Sequence, residues 1–425
     1  VTDTADAEDG TETEDPYDEH AAYAAYAPAD TLLGAVERGR GLGRSLALAD
    51  RAAGAEAVLD CLRRETRWDR QSDQRHGYHA RLLRESAAPV EPVLELLEGA
   101  DEDTADRVLQ TLAELALIGG ESARDALRAH VRHGEHWQEA LGHLGDRWPV
   151  ESWDDLRPDA LRRLGGAEPA CPDDHAWRHW RGPEPERGGR GPHRMVFEPR
   201  NGRLLAVLRD PGAARGELSR ALGTLASRPG TFPEVLPMIT ELSTTEPAWL
   251  GERALPGVFR IVRRLGPLAV EPAREWAVDS RSWLSGLGLQ VLAEHGTVAD
   301  APLLLAELAR QCAVGQWCGS DGLADGLARF GPAVAEAAPL LRGLWENTPH
   351  SYERPSYLRA LHAITPDGTD ALLHESLWDC ESDARLYAVR HAPESRELAH
   401  RLARLRDSPA EDDDLRAAAA ERLGR

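Results

Sequence analysis

Lysine is missing from all 425 residues, so each of the 50 basic side chains is an arginine. Its absence excludes Schiff-base lysine chemistry, the lysine of a phosphate-binding loop and the strand lysine of a kinase. Compositional bias is the simplest reading of it. Cysteine is sparse: Cys61, Cys171, Cys312, Cys318 and Cys380 make an odd count with no CxxC spacing. That argues against a disulfide framework and predicts reduced thiols in a cytoplasmic protein. No apolar run approaches the roughly 18 residues that would span a bilayer, and the acidic N-terminal stretch has no apolar signal core. Neither a membrane segment nor secretion is therefore expected. Positive charge is also short, with 72 acids against 50 arginines and a net charge of -22. Such a balance disfavours nonspecific binding to nucleic acid or anionic membrane, which needs a positive footprint.

Acids are plentiful and unevenly spread. Residues 1–20 hold nine of them (Asp3, Asp6, Glu8, Asp9, Glu12, Glu14, Asp15, Asp18, Glu19) and no arginine. Too little apolar surface is available there to offset the entropy of ordering, so 1–28 is expected to be a disordered acidic tail.

Beyond the tail, one pattern recurs. Leu284, Leu287, Val291 and Leu292 precede Gly296, and then come Pro302, the leucines 303–305 and Leu308. Leu323, Leu327 and Phe330 precede Gly331, followed by Pro339, Leu340, Leu341 and Leu344. Glycine after a helix provides a left-handed C-terminal residue, and proline suits the first turn of the next helix. Each copy is thus predicted to be a helix, a tight turn and an antiparallel partner. Pro237, Pro272, Pro302 and Pro339 follow at intervals of about 35 residues, a length that fits two helices per unit. Val108, Leu112 and Leu115, then Gly119-Gly120, then Ala123, Leu127 and Val131, give an earlier copy. The glycines 39, 41 and 43 resemble a phosphate loop but lack its spacing and its lysine, and read as a helix-breaking turn. A first helix is expected near Ala29–Arg38, and the one short strand at Arg194–Phe197. The pattern lapses between Gly165 and His193, where Gly188-Gly189-Arg190-Gly191-Pro192 suggests a linker.

The expected fold is all-α, an α-solenoid of stacked antiparallel helical hairpins. An N-terminal array over 29–165 and a C-terminal array over 196–425 would be joined by a linker or long loop at 166–195. Helix, glycine turn, proline-leucine helix and the closing Asp413-Asp414-Leu415-Arg416-Ala417-Ala418-Ala419 segment (Asp-x-Leu-Arg-x-Ala-Ala) together resemble HEAT repeats of the short bacterial kind. The resemblance is loose over Ala55–Val131 and better over Gly216–Arg425. It implies a non-catalytic scaffold that binds a protein or peptide partner along a concave helical face, with no cofactor. Some proteins of that kind instead excise damaged DNA bases or act on tetrapyrrole-carrying proteins, so the alternative it implies is a HEAT-like enzyme.

Twelve tryptophans against four phenylalanines is an unusual ratio, and Trp137, Trp148, Trp153, Trp177 and Trp180 fall close together. Tryptophan and arginine dominate interface hot spots. These five, with Arg162, Arg163, Arg263 and Arg264, are the candidate partner-binding residues. The packing alternative is that the indoles cap the end of a helix stack and the arginines sit at helix ends. Cys171, His175 and His179 would share one stripe of a helix and are the best-placed metal ligands, though their Pro-rich setting argues against a site. His130, His133 and His136 swing off a common face. Ser320 lacks the glycine that a nucleophile elbow needs. No catalytic residues are assigned.

Overall fold

The computed structural model describes residues 26–64, 75–182, 200–245 and 251–424. The tail's acids, the loop at Gly188–Pro192 and the strand expected at Arg194–Phe197 lie outside them. The fold is all-α. Among the described residues ten helices make a first stack: α1 (Leu32–Glu37), α2 (Gly41–Ala49), α3 (Arg51–Arg63), α4 (His76–Glu85), α5 (Glu91–Glu95), α6 (Glu102–Leu117), α7 (Glu121–His133), α8 (Trp137–Arg147), α9 (Arg157–Leu164) and α10 (His175–Arg181). The second stack begins with α11 (Asn201–Arg209), α12 (Arg215–Ser227), α13 (Val258–Leu265), α14 (Val270–Trp276), α15 (Ser282–His295) and α16 (Ala301–Val314). It continues with α17 (Asp321–Ala328), α18 (Ala338–Asn347), α19 (Arg354–Ile364), α20 (Asp370–Ser376), α21 (Ser382–His391), α22 (Arg396–Asp407) and α23 (Asp413–Leu423). Among the described residues the only strands are β1 (Ser243–Thr244) and β2 (Arg253–Ala254), an antiparallel pair with Ser243 opposite Ala254.

Local chemistry sets the helix ends. Side chains of Thr31, Asp50, Asp101 and Ser395 accept from the backbone N–H three residues on, satisfying a donor that the first turn leaves open. Proline lies in the first turn of α5, α9, α16, α18 and α19. The predicted apolar stripes are buried: Val108, Leu112, Leu127, Val131, Leu284, Leu292, Leu304, Leu308, Leu327, Leu341 and Leu344 are all shielded from solvent. Gly331 has the left-handed backbone expected of it, with φ +55°. Gly296 does not, because its φ is -65°. Its smallness serves close approach instead, since a Cβ there would stand 2.5 Å from the Leu292 carbonyl oxygen.

Helices pack in chain order, each against its neighbour or the next but one: α6 on α4, α7 and α8, then α15 on α14 and α17, then α23 on α21 and α22. A repeated arginine ties one unit to another. Arg163 donates to the carbonyls of Val131 and Gly134 at 3.2 and 2.7 Å, and Arg329 to those of Ala293 and Gly296 at 2.6 and 2.9 Å. Arg422 treats Val389 and Ala392 likewise, and Arg264 reaches the carbonyl of Arg228. In each case a guanidinium fork closes the open carbonyls at the end of a helix about 35 residues earlier.

Two departures from the sequence reading matter for function. First, the stretch read as linker over 166–195 contains α10, and Ala176 and Trp177 on it join the apolar core of the first stack. Helical structure of the first stack therefore runs to residue 181, beyond the expected end at 165. Second, the beginning of the first stack docks on the end of the second. Gly39 accepts at its carbonyl from the backbone N–H of Cys380 at 2.8 Å, and Cys380 is the one described residue from beyond 182 in the first stack's core.

An arginine cleft at the seam

The seam is built from close backbone approach and buried charge. Gly39 takes φ +68°, and a Cβ there would stand 2.4 Å from the Cys380 sulfur. At Gly41 a Cβ would meet the Glu375 carbonyl oxygen at 2.0 Å. The glycines read as a helix-breaking turn thus divide their roles: Gly39 turns the chain, while Gly41 and Gly43 lie inside α2 and let it touch its neighbours. Arginines alternate with them. Arg38 Nε donates to the Asn347 carbonyl at 3.0 Å, and Arg40 pairs with Glu375 at 3.0 Å while lying over the Trp345 ring. Arg75 donates to the Pro349 carbonyl at 2.6 Å. On the far side, Arg354 and Asp379 form a fully buried pair at 2.8 Å.

Where α4 faces α22 the seam opens into a cleft of about 590 Å³, lined by Arg81, Arg84, Glu85, Arg401, Arg404 and Glu411 among others. Arg81, Arg84 and Glu85 share one face of α4 because they are three and four residues apart. Arg401 and Arg404 do so on α22, whose other face buries Leu398, Leu402 and Leu405. Glu411 serves three guanidiniums: Arg385 at 2.7 Å, Arg81 at 3.5 Å and Arg401 at 3.9 Å. Glu85 serves two, Arg44 at 2.5 Å and Arg404 at 2.6 Å. Glu114 pairs with Arg147 at 3.2 Å. Trp378 lies beneath Arg44, Arg401 and Arg404, whose guanidinium carbons stand 3.3, 3.8 and 5.5 Å from its ring centroid.

Charge in this region is unbalanced. Among the described residues six arginines (44, 81, 147, 385, 401 and 404) share three carboxylates and Arg84 pairs with none, while Asp407 is held by Arg406 at 2.6 Å. Burial opposes ionisation of Glu411, yet Arg385, Arg81 and Arg401 outweigh it and pull the carboxyl down to about 2. Burial, reinforced by Arg81 and other guanidiniums nearby, pushes Arg401 well below the usual arginine range. Burial also raises Glu114, which weakens one of the few counter-charges.

The residues singled out by sequence are distributed differently. Trp137, Trp153, Trp177 and Trp180 are brought together at the other end of the first stack. Their rings meet edge to face, Trp177 with Trp180 at 5.1 Å, Trp153 with Trp180 at 5.7 Å and Trp137 with Trp177 at 6.4 Å. Trp148 is buried nearby and accepts at its carbonyl from the Trp153 indole at 3.2 Å. Only Trp180 is half-exposed. Arg162 is held by Asp159 at 2.5 Å, and Arg163 and Arg264 are the helix-closing arginines above. Arg263 is exposed on α13. Cys171 lies in the turn before α10, not on one helix with His175 and His179, and His179 packs on Trp153 at 5.4 Å. Among the described residues no group of three or more His, Cys, Asp or Glu side chains is arranged to hold a metal.

The seam arginines 38, 40, 75, 81, 401 and 404 escaped the sequence reading. Their one local signal is the alternation Arg38-Gly39-Arg40-Gly41, where long donors flank positions that admit a second backbone. The chain matches no family model, no curated protein and no solved structure.

Proposed function

We propose that the protein is a non-catalytic helical-repeat scaffold of the HEAT-like kind, and that it binds an acidic segment of a partner protein. The observation that carries this reading is the outer face of α13. That helix buries Val258, Ile261, Val262 and Leu265 and leaves Phe259, Arg260, Arg263 and Arg264 exposed. Phe259 is 43 % exposed, and Leu268 in the following turn is 57 % exposed. An aromatic beside arginines is the composition of an interface hot spot. Its positive sign, on a chain of net charge -22, selects for an acidic partner. Successive hairpins hold that face on a rigid support, so binding costs little ordering entropy.

The arginine cleft fits the same class of role. Guanidiniums bind charge and do not take protons at neutral pH, and the carboxylates there are committed to them. Partners captured by the 425-residue chain from its native host would be identified by mass spectrometry and then titrated against Phe259→Ala/Arg263→Ala. At least a tenfold loss of affinity is expected, with unchanged thermal stability. Equal affinity of the double variant would remove α13 from the interface.

A further inference from the structure

The cleft between α4 and α22 has cations on both walls and too few anions to match them. Among the described residues the Arg84 side chain has no hydrogen bond or ion pair, and it is exposed at the rim. Arg401 is 4 % exposed, and its Nη2 has no hydrogen-bond partner among the described residues; the Glu411 carboxylate oxygen stands 3.9 Å away. Leaving a buried guanidinium nitrogen unpaired costs far more than leaving an exposed one. The chain carries a net charge of -22, yet among the described residues the cleft's carboxylates, Glu85, Asp407 and Glu411, are fewer than its guanidiniums. Among the described residues the counter-charge is missing, which leaves room for one that arrives from outside.

We propose that this cleft binds a phosphate-bearing anion, gripped by Arg81 and Arg84 from the first stack and by Arg401 and Arg404 from the second. A carboxylate offers two acceptor oxygens and a single charge. A phosphate ester offers three terminal oxygens and up to two charges, and it accepts from several forks at once. The cleft's volume of about 590 Å³ exceeds what inorganic phosphate fills and lies within the usual range for an organic ligand. Because the four arginines belong to two stacks, occupancy ties the stacks together and stabilises the docked state by mass action. This inference stands apart from the α13 interface and does not depend on it.

The test is thermal unfolding and calorimetric titration of the 425-residue chain with sodium pyrophosphate, ATP and a phosphoserine peptide. Sodium sulfate and sodium chloride at matched ionic strength are the controls. At least one phosphate ligand is expected to raise Tm and to titrate at one site per chain. Arg84→Gln and Arg404→Gln are each expected to weaken it at least tenfold, whereas Arg390→Gln, an exposed change on α21, leaves it intact. Arg84→Gln keeps the test clean, since an exposed side chain with no partner is not needed for folding. Binding of ATP or pyrophosphate assigns a free phosphate ester; binding of the phosphopeptide alone assigns a phosphorylated protein. Equal effects of sulfate and every phosphate ligand, no binding at all, or undiminished binding by Arg84→Gln and Arg404→Gln together would each overturn the proposal.

Discussion

The two ends of the first stack are closed by opposite chemistry. At residues 137–181, indoles seal it: Trp153 is fully buried and meets Trp180 and His179 edge-on, with its own N–H given to a backbone carbonyl. At residues 38–85, guanidiniums join it to the second stack through carbonyls and carboxylates. Indoles gain from burial in many orientations, because the hydrophobic effect has little direction. Guanidinium forks demand particular acceptors, so the arginine end fixes one docking register at the cost of desolvating charge. One end is sealed and the other is addressed.

That contrast can be broken from either side. Removing Arg354 leaves Asp379 buried without its partner, and Arg354→Ala is expected to cost about 3–5 kcal/mol. Chemical denaturation should then separate the two stacks into two transitions; one unchanged transition would contradict the seam's role. Trp153→Ala should cost roughly 3 kcal/mol or more by opening a cavity, with the loss confined to the first stack. Hydrogen exchange of α22 as fast in that variant as in Arg354→Ala would erase the distinction between the ends.

Glu411→Gln sharpens the comparison through pH. The folded carboxyl titrates at about 2, below its ordinary 4.5, so its stabilisation is complete above about pH 4.5 and disappears as pH falls towards 2. Removing it should cost on the order of 3 kcal/mol at neutral pH and flatten the acid limb in that window. An acid limb identical to that of the parent would exclude Glu411 as its source. Gly41→Ala is expected to cost about 1–3 kcal/mol, because the Glu375 carbonyl cannot yield to a methyl at 2.0 Å. The smallest effect is kinetic. Maleimide should label Cys171 and Cys318, which are exposed, well before Cys61 and Cys380, whose thiols burial pushes upward. Gly41→Ala should speed labelling of Cys380 and leave Cys61 slow.

The helices were legible in the sequence because their signals are local. Leucines at three- and four-residue spacing, prolines in first turns and Gly331 after a helix each act within a few residues. Gly296 misled because a small residue serves close approach as well as left-handed turns. Helix α10 was hidden by prolines around it, and its stability comes from Trp177 packing on Trp137, a contact 40 residues apart in sequence. The predicted arginines at 163 and 264 act as helix-closing donors within their own stacks, whereas Arg40 and Arg404 reach more than 300 residues along the chain.

Periodic apolar side chains and the residues that start and stop helices determined an all-α chain of hairpins on their own, since each such preference is settled over one or two turns. Which ends meet, and that the meeting leaves a cleft with more guanidiniums than carboxylates, was decided only when the second stack brought Glu411 and α22 against α4 and Trp378 against Arg44 of α2. Charge balance is a property of neighbours in space, and a net charge of -22 along the sequence carries no trace of a positive hollow inside the fold.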